Sequence, residues 1–145
     1  KMIFALTLFY SSLIYADGEI LKINTTGKEY CVVKGNRNFN PSNDINLWIK
    51  FNDMYSAELY SDENLNNWVA NLPIYADWME WNKLIFTSVY KNGNKFLSLM
   101  GTIKYDNDNR IISMKATVIS EGILTKEIVG DYCRIKGSMN GKRIN

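Results

Sequence analysis

Two carboxylates, Asp77 and Glu80, sit among Tyr75, Trp78 and Trp81. Glycoside hydrolysis uses two carboxylates, one as acid and one as base or nucleophile, and aromatic faces beside them would stack a sugar ring. The spacing alone sets no carboxylate separation, so a glycan hydrolase is the lesser reading. Asp106-Asn107-Asp108 opens like a calcium loop. Its sixth position is Ile111 where the loop needs glycine, and its twelfth is Thr117 where it needs glutamate, so the stretch reads as a turn. The chain has no histidine, which excludes Ser-His-Asp and Cys-His catalysis, imidazole metal ligands and a histidine pH switch. No phosphate loop, dinucleotide fingerprint or nucleophile elbow is present. The expectation is a non-enzyme with no catalytic residue, no metal site and no cofactor.

Binding chemistry is better represented. Trp68, Tyr75, Trp78 and Trp81 form an aromatic cluster in sequence. Each tryptophan offers a large apolar face and one N–H donor, so these four are the candidate lining of a small apolar ligand site at a barrel mouth. Trp48 lies on the polar side of an otherwise alternating strand and is the candidate contact for a protein partner.

The two cysteines sit in near-repeats. Glu29-Tyr30-Cys31-Val32-Val33-Lys34-Gly35 returns as Asp131-Tyr132-Cys133-Arg134-Ile135-Lys136-Gly137, each followed by an asparagine, Asn38 and Asn140. Read as strands, both copies put the cysteine on the apolar face, and a Cys31–Cys133 disulfide is expected. Closing a loop of about 100 residues is worth up to ~4–5 kcal/mol in the chain-entropy model.

Such a bond needs an oxidising compartment, and the start of the chain agrees. Lys1, an apolar run from Met2 to Tyr15, and Ala16 before Asp17-Gly18-Glu19 have the layout of a secretory signal peptide. The expected organisation is a signal peptide at 1–16 and one β-rich domain at 17–145, exported to a periplasm or secreted. The wealth of Asn and Lys suggests a bacterial source. With 145 residues and a formal charge of +2, the chain suits one domain and gives no electrostatic case for nucleic acid. No stable membrane span is expected once the leader is cleaved.

The elements that must position these groups read mostly as strands. Residues 20–23 form a short strand, Thr25-Thr26-Gly27 a turn, and 35–44 a polar loop after the first cysteine strand. Ile45, Leu47, Ile49 and Phe51 alternate with Asn46, Trp48, Lys50 and Asn52. Leu65, Trp68, Val69 and Leu72 fall at helical spacing, with Ser61 or Asp62 as cap and Pro73 as stop, so one short helix is expected over 61–72. Asn92-Gly93 marks a hairpin between strands 83–90 and 95–105. On the next strand Ile112, Met114, Ala116 and Val118 share a face. Residues 123–129 form a further strand, and 138–145 a frayed tail.

Short connections between so many strands favour antiparallel neighbours. The expected fold is mainly β: a small antiparallel up-and-down barrel, or a β-sandwich, with one short helix and one disulfide. The order Cys31, Trp48, Cys133 resembles that of immunoglobulin domains, but Tyr132 adjoins Cys133 and the cysteines are too far apart for one such domain. The architecture is similar to that of lipocalin-type barrels, without their Gly-x-Trp on the first strand. The functional expectation is an exported, non-enzymatic module that binds a small apolar ligand or an envelope protein partner. The alternative is an envelope assembly protein acting through Trp48 and a strand edge.

Overall fold

The computed structural model describes residues 18–33, 36–40, 45–123 and 132–144, with backbone alone at 29–33, 36–40, 132 and 133. The expected leader, 1–16, and most of the strand expected over 123–129 lie outside the described residues. Ten strands follow one another: β1 (Ile20–Val33), β2 (Asn36–Asn40), β3 (Ile45–Phe51), β4 (Ser56–Tyr60), β5 (Trp68–Pro73), β6 (Tyr75–Glu80), β7 (Lys83–Asn92), β8 (Lys95–Tyr105), β9 (Ile111–Glu121) and β10 (Tyr132–Arg143). Nine of them form an antiparallel path in the order β5-β4-β3-β1-β10-β9-β8-β7-β6, and β2 adds to β1. The path curls until β5 lies against β7 without a ladder between them, giving a nearly closed barrel.

Alternation builds the interior. Leu47, Ile49 and Phe51 of β3 point inward, as do Leu84 and Phe86 of β7, Leu97, Leu99 and Ile103 of β8, and Met114, Ala116 and Val118 of β9. Leu21 and Ile23 of β1 and Leu59 of β4 complete the same core. The interior is filled with side chains.

Several expectations are corrected. Thr25-Thr26-Gly27 is no turn: β1 runs straight through it, pairing β3 with its first half, β2 with its second, and β10 along nearly its whole length. Gly27 instead faces Gly137 across the ladder, so closely that a Cβ on Gly27 would sit 2.8 Å from the Lys136 carbonyl oxygen. Part of the expected loop after the first cysteine strand is β2, the return arm of a hairpin with β1.

The helix expected over 61–72 is absent. Asp62 draws the backbone N–H groups of Asn66 and Asn67 onto one carboxylate oxygen at 2.9 and 2.7 Å, closing a loop. Leu65 adopts φ of 58°, which breaks a right-handed helix. The chain then enters β5, where Ala70 and Leu72 are buried and Trp68 and Asn71 exposed. A register shift against β4 leaves Val69 as the extra residue. Helical spacing and bulged alternation coincide over this stretch, and cross-strand pairing selects the strand.

The tail is also ordered. β10 continues to Arg143 between β1 and β9, with Met139 fully buried. Ser138, Asn140 and Lys142 look like a polar tail because they are the outer half of an alternation whose inner half is Ile135, Gly137, Met139 and Gly141. On β9 a register shift at Lys104/Tyr105 turns Ile111 inward and Ile112 outward, so Ile112 does not share the face of Met114. The β7–β8 hairpin forms as expected, but its turn residues are Gly93 and Asn94, since Asn92 pairs Lys95. Gly93 has φ of 57°, the glycine-first arrangement of a type II′ turn. The two cysteine repeats pair with each other, and Cys31 is the direct backbone partner of Cys133.

Candidate functional site

The site begins at a corner. Pro73 ends β5 and has no N–H to donate. Ile74 follows, almost fully buried, its N–H donated to the Tyr55 carbonyl at 2.7 Å. Anchored there, the chain leaves β4 and continues as β6 beside β7. All six residues of β6 are exposed. Among the described residues β6 has one neighbour, β7, and its other edge is unpaired. A register shift between Ala76 and Trp78 makes Asp77 an extra residue in the strand.

Three of the expected ligand residues gather here. Tyr75 and Trp78 stand on β6, Trp78 60% exposed, and Trp81 on the following turn is 94% exposed. Ile85, the backbone partner of Trp78, is exposed beside it on β7, while Met79 is exposed on the opposite face of β6, across from Leu84. Sequence reasoning passed over Met79 and Ile85 because apolar residues in a strand are usually core. Asp77 and Glu80 are both exposed on the same strand.

Trp68 lies elsewhere, on β5. Its ring meets Tyr90 edge-on at a centroid distance of 6.2 Å and its indole N–H donates to Asn71 Oδ1 at 3.2 Å. This contact bridges the seam between β5 and β7. Beside it runs an open groove of about 520 Å³, lined by Asn71, Leu72, Pro73, Val89, Tyr90 and Lys91 among others. None of Trp68, Tyr75, Trp78 and Trp81 lines that groove. Trp48 is half-buried on the outer face of β3, between its backbone partners Lys22 and Tyr60.

Two tyrosine hydroxyls of the barrel titrate above their usual value. The Tyr60 hydroxyl donates to Glu58 Oε2 at 2.9 Å, and that bond to a carboxylate raises the phenol above its usual value. Tyr105 is pushed up to about 12 by burial. Its hydroxyl has no hydrogen-bond partner, nor do the hydroxyls of buried Thr25 and Ser88. Among the described residues no cluster of three potential metal ligands occurs, and no helix is long and apolar enough to cross a membrane.

The arrangement offers a free backbone edge flanked by aromatic side chains, which suits addition of an extended strand. No protein-family model, curated protein or solved structure matches the chain.

Proposed function

We propose that the chain is an exported, non-enzymatic binding module that takes an extended segment of a protein partner along the free edge of β6. The observation that carries this is β6 itself: six exposed residues, one neighbouring strand among the described residues, and aromatic side chains along it. Unpaired edge N–H and C=O groups would bind the partner's backbone, and Tyr75, Trp78 and Trp81 would anchor its side chains. Soluble proteins usually blunt such edges, and here only the Asp77 bulge and Glu80 do so. The test is photo-crosslinking from position 81 in an export-competent host. A crosslinked protein that disappears with Trp78→Ser supports the reading; a product unchanged by that substitution, or no product, refutes it.

The groove between β5 and β7 supports a second reading, a small apolar ligand, since its volume lies in the usual range for such sites of ~300–1,000 Å³. Native mass spectrometry would reveal it as mass lost on denaturation.

A Cys31–Cys133 disulfide belongs to the same proposal. Direct antiparallel partners have Cα atoms ~4.5–5.5 Å apart, inside the ~4.4–6.8 Å that a disulfide spans. The register of the two repeats therefore supports the bond. Intact mass with and without reduction and alkylation tests it, and two alkylated thiols in unreduced protein refute it.

A further inference from the structure

We propose that the outer face of β1, β10, β9 and β8 docks on an anionic lipid bilayer. The register lays out its lysines. Lys22 lies directly opposite Lys142, and Lys28 directly opposite Lys136. Lys142 and Lys104 flank Ser113 from either side, and Lys115 sits between Asn140 and Thr102. All six lysines are exposed. Like charges placed directly opposite one another destabilise a sheet. Among the described residues no carboxylate forms an ion pair with any of the six.

A chain close to neutral overall thus carries a lysine-rich face, with Glu121 at one end of it tied to Arg134. Several other acids lie apart from that face, such as Glu58 on β4, Asp62 and Glu63 in the loop before β5, and Asp77 and Glu80 on β6. Between the lysine pairs the face presents Asn24, Asn140, Thr26 and Ser138, hydrogen-bonding groups at the height of a phosphate layer. Thr26 and Ser138 already share a bond of 3.1 Å.

The neighbouring apolar groups select the occupant. Exposed Met100 and Ile85 continue the same outer face, Met100 opposite Thr117 and Ile85 opposite Thr102. Trp48, half-buried opposite its backbone partner Lys22, and exposed Trp78, opposite Ile85, add indole rings of the kind that sit at membrane interfaces. Such groups enter the boundary between headgroups and acyl chains, where lysines hold the phosphates. Charge complementarity and these flanking apolar groups together fit a lipid surface, and the experiment below separates it from a polyanion. The reading does not rest on strand addition at β6.

The experiment is co-sedimentation of the full chain with phosphatidylcholine vesicles, with and without a one-third share of phosphatidylglycerol. The expected result is binding to the anionic vesicles alone, weakened at least tenfold as salt rises from about 0.1 M to about 1 M and screening shortens. Replacing Lys22, Lys28, Lys136 and Lys142 together by Gln should weaken binding several hundredfold, at about fivefold per lysine. The melting temperature should hold or rise, because two like-charge pairs are removed. The pair Lys22→Gln/Lys142→Gln gives the same reading, about twenty-fivefold, if the quadruple variant does not fold. Equal binding to both vesicles, binding untouched by the lysine substitutions, or retention by single-stranded DNA or heparin in place of vesicles would overturn the proposal. Lys22→Gln/Lys142→Gln should leave crosslinking from position 81 unchanged, which separates this result from the β6 reading.

Discussion

Gly27→Ala should be costly out of proportion to the one methyl group it adds. The new Cβ would sit 2.8 Å from the Lys136 carbonyl oxygen, 3.0 Å from Gly137 Cα and 3.2 Å from the Lys136 carbonyl carbon. All three are backbone atoms of the paired strand, so no side-chain rotation relieves the clash. β1 and β10 must move apart at the centre of the sheet, where ladder bonds and the burial of Ile135 and Met139 depend on their contact. Overpacking of this kind costs about 1–3 kcal/mol, and the rigid surroundings place this site in the upper half of that range. In a chain of this size the melting temperature should fall by about 6–12 °C. Thermal and urea unfolding followed by circular dichroism would measure it. Gly137→Ala should behave alike, because its Cβ would run into the Thr26 carbonyl and Gly27 Cα. The double variant should cost less than the sum, since one separation of the strands accommodates both methyl groups. A Gly27→Ala protein within half a kcal/mol of the parent would refute the close approach.

Asp106 accepts backbone N–H bonds from Arg110 and Asp108, both at 2.9 Å, and an Arg143 bond at 3.1 Å. These hold its carboxyl below the usual value, the Arg110 bond contributing most. Its stabilisation is therefore present above the unfolded carboxylate pKa and lost as pH falls through the lower folded value. The stability gap between parent and Asp106→Asn should be full at neutral pH and close in acid, read by urea midpoints across pH. Tyr105 titrates in the opposite sense. Its raised folded value means stability is complete below pH 10.0 and declines as pH climbs towards about 12. Tyr105→Phe should flatten that alkaline slope and, by removing an unpartnered buried hydroxyl, leave stability at neutral pH equal or higher. Deleting 138–145 should abolish cooperative unfolding, because it removes fully buried Met139 and half of the β10 ladders; a truncated chain that melts like the parent would contradict the register.

Much of the fold was legible because alternation is local. β3 and the β7–β8 hairpin could be read from the residues themselves. The errors share one cause: a local signal outvoted by cross-strand pairing, whether the partner is distant or the neighbouring strand. Gly27 has the chemistry of a turn, yet its small size serves contact with Gly137, a residue far along the chain. Residues 61–72 carry a helical stripe, yet β4 offers a ladder that the stripe can also satisfy. The site was half legible. The aromatic residues stood out by type, but only topology shows that β6 lies at an edge with both faces exposed. The lysine face was invisible, because Lys22 and Lys142 become neighbours only through the pairing of β1 with β10.

That pairing also governs the order of assembly. β10 is the last of the described strands to be synthesised, and it sits between β1 and β9. Until it arrives, two strands of the central sheet have open edges, and Leu21 and Ile23 lack the partners opposite them. The early hairpins can form as they emerge, whereas the ring cannot close. Topologies dominated by such distant contacts fold in ~milliseconds to seconds instead of microseconds. A chain emerging amino end first therefore stays threadable, and open to chaperones, until β10 is released.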